Sequence, residues 1–196
     1  MNIIFDVADV ILDWDIPIML EHFPNDKARE IAMREIVEHP DWLELDKGAM
    51  SAEEAICRAV ARSKLDSRAV AMLYEAVSES LIPNRASLDL LSELKENGTP
   101  LYCISNLHRA TYDALREREE FWDVFEGIVV SCEVGLIKPD PAIFTLLTDR
   151  YSLLTNECIF IDDRERNVNA ASELGMRTVE FESTRQCKER LADMLV

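Results

Sequence analysis

Ile3-Ile4-Phe5-Asp6, near the start of the chain, and Ile159-Phe160-Ile161-Asp162-Asp163, near its end, share one form: a short, continuously apolar run that stops at an aspartate. A run of that kind is too apolar for a half-exposed strand and reads as a parallel strand covered on both faces. Working outward, the same reading gives five strands, Asn2–Phe5, Pro100–Ser105, Gly127–Ser131, Cys158–Ile161 and Arg177–Phe181. Helical periodicity lies between them. Arg85–Asn97 places Ala86, Leu88, Leu90, Leu91 and Leu94 on one side and stops at Asn97-Gly98, a C-terminal signal. Pro141–Tyr151 opens on a proline suited to a first helical turn, and Asn167–Leu174 ends at Gly175. Alternation of strands and helices predicts an α/β fold with a doubly wound, parallel five-stranded, Rossmann-like sheet and right-handed crossovers.

One stretch breaks the alternation. From about Pro17 to Ile82 no strand is convincing, whereas Asp26–Glu38, Ser51–Arg62 and Asp66–Leu81 all read as amphipathic helices, the second opened by Ser51 as N-cap with Glu54 three residues on. The expected organisation is an α/β core from residues 1–15 and 83–196, with a small α-helical cap, 16–82, inserted after strand one. Such a cap would lie over the carboxyl ends of the strands, where open α/β sheets bind ligands.

Composition narrows the function. The 196 residues include 38 acidic and 21 basic side chains, a formal net charge of −17, which opposes binding to nucleic acid or to an anionic membrane surface. No apolar run approaches the roughly 20 residues of a membrane-spanning helix, and Met1–Asp6 lacks the basic start of a signal peptide. The five cysteines, Cys57, Cys103, Cys132, Cys158 and Cys187, form no CxxC pair and read as buried free thiols of a reducing cytoplasm. Cytoplasmic localisation and a monomer or homodimer are the expectations.

The strand ends carry the chemistry. Strand one ends in Asp6, the next core strand in Ser105-Asn106, Lys138-Pro139 follows strand three, and strand four ends in Asp162-Asp163. A doubly wound sheet gathers these ends at one edge, so three carboxylates, a hydroxyl and an ammonium converge. Carboxylates at that density repel unless a cation lies among them. Oxygen ligands without His or Cys suit Mg²⁺, and Lys138 has the charge to hold a phosphate or neutralise a carboxylate nucleophile. The set suits phosphoryl transfer to a carboxylate followed by hydrolysis. The partner expected is a small phosphorylated metabolite.

Four segments carry a family resemblance: Ile3 to Asp13 (IIFDVADVILD), Ile104-Ser105-Asn106, Lys138 within Gly135 to Pro141 (GLIKPDP), and Phe160 to Val168 (FIDDRERNV). In this order they resemble the four motifs of the haloacid dehalogenase-like hydrolase superfamily, and the helical insertion is similar to that family's small cap. Bacterial sugar-phosphate phosphatases similar to α-glucose-1-phosphate phosphatase form the nearest subgroup. The resemblance implies that Asp6 is the nucleophile, forming an aspartyl-phosphate, and a Mg²⁺ ligand. It implies further metal contacts from the Ala8 carbonyl, from Asp163, and from Asp162 directly or through water. Ser105 and Lys138 would hold the phosphoryl group with help from Asn106, and Asn167 would support the fourth motif. Val10 to Asp15 would form a flap, with Trp14 bordering the substrate, and Leu45 to Ser51 would be the cap loop that brings Lys47 into the site. Sugar phosphates are the substrates the resemblance suggests.

The sequence departs from the family pattern at Ala8, where phosphatases of the family usually carry a second aspartate that protonates the leaving oxygen. A methyl group transfers no proton, and Asp9 would need a local turn to substitute for it. The departure leaves three other readings: a metal-independent dehalogenase, in which Asp162-Asp163 would cluster without a cation; a phosphonate hydrolase using Lys47; and a binding module with weakened catalysis. His22, His39 and His108 read as structural, His108 being the one placed to reach a pocket mouth. Trp42 and Trp122 read as core, and Glu117 to Glu120 as a solvated helix end.

Overall fold

The computed structural model describes residues 1–195. Five strands, β1 (Asn2–Phe5), β4 (Leu101–Ser105), β5 (Gly127–Val130), β6 (Cys158–Asp162) and β7 (Arg177–Glu180), form one parallel sheet in the order β5-β4-β1-β6-β7. The register sets Ile3 opposite Leu101 on one side and Ile159 on the other. Side chains alternate between faces with period two. Ile3, Phe5, Cys103 and Ile161 pack beneath α6 (Arg85–Glu96), α7 (Arg109–Arg118) and α11 (Thr184–Met194), whereas Ile4, Tyr102, Ile104 and Phe160 meet α9 (Pro141–Tyr151) and α10 (Glu165–Glu173). Both faces are therefore covered, as the continuously apolar runs require. The chain leaves β1 for β4 on one flank and later returns to β6 on the other, so the carboxyl end of β1 lies at the switch point where such sheets open a crevice.

Helices α1 (Ile16–Leu20), α2 (Asp26–Ala32), α3 (Pro40–Asp46), α4 (Ala52–Ser63) and α5 (Ser67–Ser80) surround an apolar core of their own, built on Met19, Phe23, Ile36, Trp42, Leu45, Leu73 and Val77. Ser51 accepts the Glu54 N–H as the N-cap of α4 (3.2 Å). The expected helix over Asp26–Glu38 is α-helical only as far as Ala32; Met33–Val37 forms a π turn, with Glu38 N–H donating to the Met33 carbonyl. Its cause is visible in Arg62, whose Nε and Nη2 donate to the Glu35 carbonyl at 3.0 and 2.6 Å and take it out of the regular ladder.

Two further strands were not expected. Within the flap, β2 (Leu12–Trp14) pairs antiparallel with β3 (Leu81–Pro83), Leu12 facing Pro83 and Trp14 facing Leu81. Each is three residues long, too short for an alternation pattern to register. The Glu117–Glu120 segment also does more than meet solvent, since Arg118 donates to the Ser78 and Leu81 carbonyls. Among the cysteines, Cys103, Cys158 and Cys187 are buried, Cys132 is half-buried, and Cys57 is exposed, contrary to expectation.

Candidate active site

Asp6 follows β1 directly. Its Oδ1 accepts the Val7 N–H at 2.7 Å and the Ser105 hydroxyl at 3.1 Å; its Oδ2 lies 2.8 Å from Lys138 Nζ. The same ammonium reaches Asp162 Oδ2 at 2.7 Å, with the lysine side chain only 1% exposed. Lys138 is held from behind by Asn106, whose Oδ1 accepts the Lys138 N–H (2.9 Å) while its Nδ2 donates to the Lys138 carbonyl (3.1 Å). Both ends of the Asn106 amide are thus engaged, leaving its backbone, not its side chain, for a substrate.

Asp162 is fully buried and saturated. Oδ1 accepts from the Arg164 N–H and Asn167 Nδ2, and Oδ2 from Lys138 and Asn167. Asp163 is half-buried and pairs with Arg164 Nε at 3.1 Å. Asp6, Asp162 and Asp163 each offer an oxygen within 4.8 Å of the others.

Electrostatics follow from this crowding. Burial pushes the Asp6 carboxyl up to about 7, Lys138 opposing the rise and the neighbouring Asp162 and Asp163 adding to it. Burial and Asp162 also raise Asp163. Burial disfavours the Lys138 ammonium, but Asp6 and Asp162 more than compensate and hold it charged. Three carboxylates with one ammonium and the Arg164 guanidinium leave an excess of negative charge, which a divalent cation would relieve.

A cavity of about 420 Å³ opens above these groups. Asp6, Ala8, Asp9, Asn106, Lys138, Asp163 and Asn167 border it from the sheet side, while Trp14, Ile16, Met33, Val37, Trp42 and Leu43 border it from the helices above. Ala8 brings only its methyl group. Asp9 has a left-handed backbone (φ 57°) and its Oδ1 accepts the Trp14 N–H at 3.0 Å, so its carboxylate closes the turn into β2.

Lys47 is not among the residues that line the cavity. Lys47 ends α3, half-buried and off the cavity wall; Asp46, its neighbour, lines the cavity and is 6% exposed. Helical phase accounts for this, because Asp46 lies one turn, four residues, beyond the buried Trp42, whereas Lys47 is five residues beyond it and turned off the buried stripe Trp42, Leu45 and Asp46. Burial pushes Asp46 up to about 8, against the His108 N–H and the Trp42 side chain, which favour the anion. The Asp46 carbonyl accepts the Ser131 hydroxyl (2.6 Å), and a Cβ on Gly48 (φ +73°) would meet the Cys132 carbonyl at 2.8 Å, so this part of the helical layer is seated closely on the core. His108 does border the cavity, but as the N-cap of α7: both ring nitrogens bond Thr111, and burial lowers its basicity to about 4. His39 also borders the cavity, and Trp122 alone among the tryptophans lies away from it, donating to the Leu115 carbonyl.

The sequence pattern of haloacid dehalogenase-like hydrolases matches residues 2–175. The drimenol cyclase of Aspergillus calidoustus is 26% identical over 195 residues, which cover 98% of this chain but only 36% of the cyclase. A sesquiterpene phosphatase of Aspergillus oryzae is 26% identical over 176 residues, 88% of this chain and 85% of that protein. A HAD family enzyme of Bacteroides thetaiotaomicron, crystallised with magnesium and inorganic phosphate, superposes with a TM-score of 0.72 at 25% identity, covering 91% of this chain and 92% of its own.

Proposed function

The chain belongs to the haloacid dehalogenase-like hydrolase family, and from that premise we propose that it is a Mg²⁺-dependent phosphatase acting on small phosphate monoesters through an aspartyl-phosphate. One observation carries the reading: Lys138 Nζ bridges Asp6 and Asp162 while Asp163, paired with Arg164, stands beside them, a cluster in which carboxylates outnumber cations, open to a cavity.

The donor set fits magnesium. It offers hard oxygens only, its carboxylates outnumber the cations Lys138 and Arg164, and the buried Asn167 Oδ1 beside it has no hydrogen-bond partner among the described residues, which suits a water on a cation. Asp6, Asp163 and the Ala8 carbonyl would hold the ion. Asp162, with both oxygens engaged, would act through water and chiefly fix Lys138. When bound, Mg²⁺ neutralises charge on the phosphoryl oxygens.

The residues of the chain do the rest. Asp6 attacks phosphorus in line, forming its Oδ–P bond as the ester P–O bond breaks, and water then hydrolyses the acyl phosphate and frees the carboxylate. Val7 N–H and Ser105 Oγ aim the nucleophile. Lys138, placed by the Asn106 amide, meets the charge of the equatorial oxygens. The segment 16–82 closes over the substrate as a cap and excludes bulk water. The dehalogenase alternative leaves Asp163 with no role in the cluster. Hydrolysis of an activated aryl phosphate, measured with Mg²⁺ and again with chelator, tests the reading: metal-dependent turnover supports it, and absence of turnover in both conditions rejects it.

A further inference from the structure

The two halves of the cavity differ in chemistry. The sheet side is charged. The opposite wall is apolar, formed by Trp14, Ile16, Met33, Val37, Trp42 and Leu43. Several polar atoms that could relieve this are already engaged with the protein, although Glu38, Arg164 and Arg166 also line the cavity. Trp14 Nε1 donates to Met19 Sδ at 3.1 Å, both nitrogens of His108 bond Thr111, and His39 Nδ1 accepts the Asp41 N–H. Asp46 is buried at the cavity, and Glu38 is exposed.

A sugar entering this space brings a hydroxyl on nearly every carbon. Each hydroxyl loses its water, and one left without a partner is penalised. A hydrocarbon chain meets no such cost and gains as its apolar surface leaves water. The wall gains as well. Trp14, Ile16, Met33 and Val37 are only half-buried and Leu43 is 40% exposed, so a contiguous apolar surface faces water until a ligand covers it. The volume of about 420 Å³ is that of a small-molecule site.

We propose that the alcohol released is apolar: the substrate is the phosphate monoester of an alkyl or isoprenoid chain, with its phosphate on Lys138 and its chain against Trp14, Trp42 and Val37. This rests on the phosphatase reading above and deepens it by naming the leaving group, in place of the sugar that the resemblance suggests.

The test compares two primary esters of similar leaving-group acidity, decyl phosphate below its micellar concentration and a hexose phosphorylated at its primary hydroxyl, with Mg²⁺ present and an aryl phosphate as reference. The expected kcat/KM for decyl phosphate is about a hundredfold higher, mostly through KM. Leu43→Asp, at an exposed position, should raise the decyl phosphate KM about tenfold and so narrow the ratio. Equal or better turnover of the hexose ester, with the aryl phosphate hydrolysed, overturns the inference and leaves the phosphatase reading standing. If the aryl phosphate is not hydrolysed, that reading falls. Quenching of tryptophan fluorescence by decylphosphonate then judges the apolar wall alone: saturable quenching supports it, and none overturns it.

Discussion

Replacing Lys138 with methionine keeps the length of a side chain that is 1% exposed and removes the one ammonium shared by Asp6 and Asp162. Two carboxylates then face each other in a site where the side chain of one is 9% exposed and that of the other 0%. Breaking a buried ion pair from one side costs about 3–5 kcal/mol, because the remaining charge keeps its desolvation penalty. In a domain of this size each kcal/mol moves Tm by about 2–4 °C, so Lys138→Met should melt about 6–20 °C below wild type. The deficit has a pH signature. Burial already holds Asp6 up to about 7, above its unfolded value, and loss of the ammonium pushes it higher. The native variant therefore holds a proton that the unfolded chain has released, and its stability falls as pH rises through the window from about 4 to beyond 7. The loss should be full at pH 8 and shrink towards pH 5, where protonation relieves the repulsion. Magnesium at a hundredfold excess over its dissociation constant should restore about 2.7 kcal/mol. Calorimetry at both pH values with and without Mg²⁺ measures each quantity. A variant that melts within 2 °C of wild type at pH 8, or that loses more at pH 5 than at pH 8, refutes the coupling of these three side chains.

Three further outcomes are expected. Asp6→Asn should abolish turnover of every phosphate ester while the fold persists by circular dichroism, and comparable turnover would remove Asp6 from the nucleophile's role. Ala8→Asp places a carboxyl on the cavity wall and should raise kcat on alkyl phosphates at least tenfold, out of the 10²–10⁴ typical of general acid–base catalysis; an unchanged kcat means that another group already supplies the proton. Asp46→Asn should flatten the stability profile. Asp46 is held up to about 8, so wild-type stability declines from about pH 4 to pH 8, and the variant should gain on wild type between pH 5 and pH 8 in urea midpoints. Parallel profiles would contradict the burial of an ionisable Asp46.

The sheet was legible because its three inner strands, β4, β1 and β6, and the edge strand β5 are largely buried, which leaves a continuously apolar run in each. Asp6, Ser105 and Asp162 were legible because they close such runs. Lys138 was found through its motif, but its shared position between two carboxylates depends on the order of strands, which one-dimensional spacing does not contain. Helices α1, α3, α11 and the single turn α8 (Ser131–Val134) were missed, and of α7 only the end near Glu117 was read. The case of α3 is instructive: read as a loop, the segment drew attention to the basic Lys47, whereas the helical stripe Trp42, Leu45, Asp46 already marked Asp46 as inward-facing. The π turn had no local signal, since it depends on Arg62, twenty-seven residues from Glu35.

The ribbon of β2 and β3 has a consequence for how this molecule diversifies. Asp15 N–H donates to the Ser80 carbonyl at 2.8 Å and Asn84 N–H to the Ile11 carbonyl at 3.0 Å, so the outgoing and returning chains are clamped side by side before the helices begin and after they end. Between these clamps the helices also rest on the core, through the Asp46 carbonyl on Ser131 and the Ser78 carbonyl on Arg118. Closing a loop between fixed ends costs only about 0.6 kcal/mol more for each doubling of its length. On the proposed function, a longer, shorter or differently lined insert carried on the same two-stranded stem would alter which ester is admitted, provided that it keeps the contacts that seat it above the lysine and aspartates.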